Sequence, residues 1–91
     1  MTKVNKGFRV SYAGQETFVV TERKRPTKAL ARKVCKEMSF PTEDWMVTDM
    51  QCCLHKATLE TKITPKYGTM YTIESNGYRD SGIENVRIIR M

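Results

Sequence analysis

The chain lacks any long apolar stretch. Its longest uninterrupted apolar runs are about three residues, such as Phe18-Val19-Val20, against the roughly 18 that a membrane-crossing helix needs. A membrane partner is therefore not expected. The opening segment Met1-Thr2-Lys3-Val4-Asn5-Lys6 has charges but no apolar core behind them, so it does not read as a signal peptide. Residues 1–6 read instead as a flexible N-terminal arm. No Gly follows Met1 for acylation, and no Cys lies near the C-terminus for prenylation.

Cysteine is scarce as well. Three residues, Cys35, Cys52 and Cys53, cannot all pair, which argues against a disulfide framework and for a reducing cytoplasmic setting. There is one histidine, His55. Any imidazole base or ligand must be this residue. The five glycines are isolated in turn-like settings, so no phosphate-cradling glycine loop exists. Signatures of an RNA-recognition motif, a KH loop, a zinc finger or a basic zipper are also missing. No cofactor and no enzymatic activity is expected from this inventory.

What is there is positive charge, unevenly spread. The net charge is +6 over 91 residues. Residues 1–40 hold ten Lys and Arg against three Asp and Glu, while residues 41–91 hold six against seven. All of the surplus lies in the first part. A basic half beside a near-neutral half is how an electrostatic docking surface looks in sequence. A skewed solubilising surface gives the same count, so position must decide.

Position is informative at one helix. Pro26 and Thr27 mark its start, Pro because its missing N–H is unneeded there and Thr as a capping oxygen. Ala29 to Lys33 are good helix formers, and Pro41 stops the helix near Ser39. Arg23, Lys24 and Arg25 lead in, and Lys28, Arg32 and Lys36 recur every four residues. That spacing gathers them on one face. Leu30, Ala31, Val34 and Met38 fall on the other. These six cations are the candidate binding residues for nucleic-acid phosphates or for an acidic protein partner.

The remaining elements read as strands. Phe8, Val10 and Tyr12 alternate with polar residues, Ala13-Gly14-Gln15 turns, and Phe18 to Thr21 returns, which predicts a hairpin over 7–22. A strand is expected to begin near Trp45 and run to Leu54. Leu59, Thr61 and Ile63 alternate cleanly, Pro65 to Gly68 turns, and Met70 to Glu74 pairs back. Asn76-Gly77 and Asp80-Ser81-Gly82 read as turns, and Val86 to Ile89 as a last edge strand. The expected fold is α+β: a single small domain over 1–91, an antiparallel sheet with one amphipathic helix packed on it, in the order β-β-α-β-β-β-β. A sheet with an unpaired edge also leaves a homodimer open.

Three weaker constellations stand beside the basic helix. Cys52-Cys53-Leu54-His55 holds zinc-type ligands, but in one cluster rather than two, and adjacent side chains on a strand point to opposite faces. Cys53 and His55 would share a strand face, about 7 Å apart, too far for a nucleophile–base pair. Glu43, Asp44 and Asp49 read mainly as a polar turn. Aromatics near the basic residues, Phe8, Tyr12 and Phe18 above all, are candidates for base stacking or for the core.

Two functions follow from the charge pattern. One is a small basic module that holds nucleic-acid phosphates with little sequence reading. The other is a protein-binding inhibitor or adaptor, for example a phage-type factor that blocks a host nuclease or defence complex, with the same cations on an acidic partner surface.

Overall fold

Six strands and two helices build the chain, in a computed structural model that describes residues 2–12 and 14–91. The strands are β1 (Thr2–Tyr12), β2 (Gln15–Val20), β3 (Leu54–Thr64), β4 (Gly68–Ser75), β5 (Tyr78–Ile83) and β6 (Arg87–Arg90), and the helices are α1 (Lys28–Glu37) and α2 (Asp44–Cys53). The α+β class holds, with one sheet in the order β5-β4-β3-β1-β2-β6. The sheet is mostly antiparallel; β6 alone runs parallel to its neighbour β2.

The order departs from the expected one in three places. First, the segment expected as a strand from Trp45 is α2. Met46, Val47 and Met50 are buried while Trp45, Thr48, Asp49 and Cys52 are exposed, a spacing that one helix face provides. Asp44 in its first turn suits the positive end of the helix dipole. Second, the expected turn Asp80-Ser81-Gly82 lies inside β5, where Gly82 takes a positive φ of 78° beside a register shift in β4. Third, residues 2–6 form the first half of β1, not an arm. Backbone pairing with β3 from Thr2↔Lys62 onward holds them, although Val4 is exposed. Ala13, in the expected first turn, lies outside the described residues, as does Met1.

The two faces of the sheet carry separate cores. Phe8 and Val10 of β1, Val19 of β2, Leu54 of β3 and Ile89 of β6 pack against Leu30, Ala31, Val34, Met46, Val47 and Met50 of the helices and Met38 just after α1. On the other face Phe18, Ala57, Leu59 and Ile73 form a smaller core, helped by Tyr71, Ile83 and Ile88. On that face Arg9 reaches Glu16 of β2 at 2.5 Å and Asp80 of β5 at 2.8 Å. The Glu16 hydrogen bond, more than the second carboxylate, holds the guanidinium firmly charged.

Among the described residues one buried side-chain group is unpaired. Thr17 has no exposed surface, and its hydroxyl finds no hydrogen-bond partner among the described residues. A buried hydroxyl without a partner costs about 1–3 kcal/mol. Thr17→Val keeps the shape and the β-branch that suits a strand. It is expected to stabilise the fold by about 1 kcal/mol, seen as a higher urea midpoint with unchanged slope. A lower midpoint would mean that the hydroxyl is bonded.

Candidate nucleic-acid interface

The basic segment begins where β2 ends. The Thr21 N–H donates to the Lys6 carbonyl at 3.2 Å, and the Arg23 N–H donates to the Thr21 hydroxyl at 3.2 Å. Gln51 of α2 donates to the Pro26 carbonyl at 2.9 Å. Thr27 then caps α1, its hydroxyl accepting from the Leu30 N–H at 3.2 Å. The lead-in is thus tied at both ends rather than left loose. Its three cations, Arg23, Lys24 and Arg25, are exposed.

Along α1 the burial is one-sided. Leu30, Ala31, Val34 and Cys35 face the core, and Lys28, Arg32, Lys33 and Lys36 face outward. Lys28 to Lys36 spans about 12 Å at the helical rise. Lys33 is an addition to the residues marked by four-residue spacing; its position one residue after Arg32 turns it outward as well. At the C-terminal end Ser39 takes a positive φ of 60°. The Ser39 N–H donates to the Lys36 carbonyl and the Phe40 N–H to the Cys35 carbonyl, the pairing of a Schellman stop.

The charges are largely unanswered. Arg32 meets Asp44 at 3.4 Å, an exposed contact worth about 1 kcal/mol at most. Among the described residues, Arg23, Lys24, Arg25, Lys28, Lys33 and Lys36 have no carboxylate within 4 Å. Nor does α1 have an acidic residue in its first turn. Cations at a helix N-terminus oppose the dipole by about 0.3–1 kcal/mol each. Lys28 and the cations before it are therefore placed against the helix's own stability. An anion bound there would reverse that cost.

The aromatics divide between the core and the surface. Phe8 and Phe18 are fully buried, and Tyr12 packs edge-on to Phe40 with ring centroids 5.1 Å apart. They are core, not stacking platforms. Trp45 is 58% exposed and sits in the first turn of α2 beside Asp44, the partner of Arg32. Its indole N–H donates to Glu43 at 2.9 Å. Trp45 is thus an exposed aromatic, next in sequence to the residue that meets Arg32.

The cysteine cluster is rearranged by α2. Cys52 and Cys53 end the helix, and His55 lies in β3 opposite Arg9, on the face away from the helices. The shared strand face of Cys53 and His55 does not form. Among the described residues no three Cys, His, Asp or Glu side chains converge as metal ligands would. Burial pushes up the Cys35 thiol, which donates weakly to the Met46 carbonyl at 3.9 Å. Burial, then the neighbouring Cys52 and Asp49, push up Cys53. Thiolate is the reactive form. With a thiol reagent at neutral pH, exposed Cys52 is expected to react first. Cys35 is expected to react only as the whole fold opens, which mass mapping of the labelled peptides checks.

Comparison with protein-family models, with curated proteins and with solved structures finds no match for this chain. Among the described residues no helix is long and apolar enough to cross a membrane.

Proposed function

We propose that this chain is a small non-enzymatic module that docks on nucleic acid through the phosphate backbone. Arg23, Lys24, Arg25, Lys28, Lys33 and Lys36 make the contacts, with Arg32 shared between Asp44 and the polymer. The observation that carries this reading is the run of unanswered cations on one tied-down segment and one helix face. Several of them work against the helix dipole. Phosphate contacts position a protein without reading sequence. The reading therefore supports weak sequence preference and nonspecific affinities of about 10⁻⁴–10⁻⁶ M at physiological salt.

The test is fluorescence anisotropy with labelled single-stranded DNA, duplex DNA and RNA of unrelated sequences at low salt. Binding to sequences of one polymer class with similar affinity is expected. Absence of binding to all three at low salt would overturn the reading. The same face would then belong to an acidic protein partner, as in the inhibitor or adaptor alternative, and capture from nuclease-treated lysate would follow.

A further inference from the structure

The basic surface does not stop at the helix. Where the chain leaves β2, a crevice of about 130 Å³ opens between the sheet and residues 21–24, lined by Lys6, Gly7, Thr21, Glu22, Arg23, Lys24 and Lys56. Lys6 and Lys56 come from the neighbouring strands β1 and β3. Lys56 is paired with Phe8 and Lys6 with Thr58, so the two lysines are diagonal neighbours on one face, about 7–8 Å apart at the backbone. Like charges so placed repel unless an anion lies between them.

Four cations thus face one carboxylate, a net of three positive charges. None of the five has an ion-pair partner within 4 Å among the described residues. The third wall is held in place by the hydrogen bonds of Thr21 and Arg23 already described, so the backbone bearing these charges is fixed before any ligand arrives. Arg23 offers a planar fork, and the lysines offer compact point charges. That space admits several water-sized spheres, room enough for a tetrahedral oxyanion.

We propose that this crevice is a seat for a single phosphate group. It rests on the polymer reading for its physiological ligand, since Lys24 and Arg25 lead from the seat directly to Lys28 and the α1 face. A phosphate held in the seat anchors one point of the strand, and α1 takes its neighbours. The seat adds Lys6 and Lys56 to the contact residues.

The test is a titration of ¹⁵N-labelled protein with inorganic phosphate against sodium chloride of equal ionic strength. Saturable amide shifts are expected at Lys6, Thr21, Arg23, Lys24 and Lys56. Lys6→Gln/Lys56→Gln is expected to weaken phosphate binding by about tenfold or more, since it removes two of the four cations that line the crevice. Both lysines are exposed, and circular dichroism checks the fold of the variant. No shifts, or shifts spread evenly over Lys28, Lys33 and Lys36, would overturn the seat in the unaltered protein, whatever the variant does.

Oligonucleotides of one sequence with a 5′-phosphate or a 5′-hydroxyl then separate the sources. About tenfold preference for the phosphorylated form, lost in the variant, assigns a terminal phosphate. Equal affinities, both weakened in the variant, assign an internal diester. Oligonucleotide binding untouched by the variant would remove the seat and leave the polymer reading standing. Phosphate shifts without any oligonucleotide binding would keep the seat and remove the polymer reading.

Discussion

Gly7→Ala is expected to lower the stability of the fold by about 3 kcal/mol or more, because its new methyl group would collide with backbone and not with a side chain. A Cβ at Gly7 would lie 1.7 Å from the Val19 carbonyl oxygen and 2.8 Å from its carbon. The cause is close approach and not dihedral freedom, since Gly7 is absent from the positive-φ glycines. Here β1 is paired on both sides, with Val20 of β2 and Ala57 of β3. Neither neighbour can withdraw without breaking a ladder. Domains of this size are stable by about 5–14 kcal/mol, so the loss is a large share of the total. Gly77→Ala is the comparison. Gly77 has φ of 83° and nothing within 4 Å of the added Cβ, so only the left-handed penalty of about 1–2 kcal/mol applies. Urea unfolding of the two variants separates steric from conformational cost. Equal midpoints would mean that β1 and β2 lie farther apart than described.

Lys28→Glu/Lys33→Glu/Lys36→Glu is expected to lower affinity for duplex DNA by about a thousandfold near 50 mM salt, where each phosphate contact is worth about tenfold. Reversal also sets three carboxylates against the polymer. The fold should tolerate the change. All three positions are exposed. Glu at 28 suits the helix N-terminus, offsetting the penalty of Glu at 36 near the C-terminus, each about 0.3–1 kcal/mol. Lys66→Glu, at the exposed β3–β4 turn, carries a comparable charge change per residue away from α1. It is expected to cost less than about tenfold. Equal losses from Lys66→Glu and from a single α1 reversal would point to net charge, not to the α1 face.

The sequence was legible where side-chain period and burial agree. The β1–β2 hairpin, the β3–β4 pair and α1 with its Thr27 cap and its stop at Ser39 follow from alternation, four-residue spacing and Pro41. α2 was not legible because Thr48, Asp49, Cys52 and Cys53 are poor helix formers. Packing of Met46, Val47 and Met50 on the first helix and sheet decides it. β5 escaped because all its residues but Ile83 are exposed, so no apolar alternation marks it. Of the surface, Arg23 to Lys36 was visible because helix geometry is local. Lys33 could have been found by plotting the helix positions around its axis. Lys6 and Lys56 could not, because only the β1–β3 register brings them to the segment after β2.

The most direct measurement is the salt dependence of duplex DNA binding by the unaltered protein and by the α1 triple reversal. About six or seven neutralised phosphates give a log–log slope near −5 to −6, and loss of three contacts makes the variant shallower by about 3. That pair of slopes would place the function on the basic face. A flat response in the unaltered protein, or the same slope in both, would contradict it.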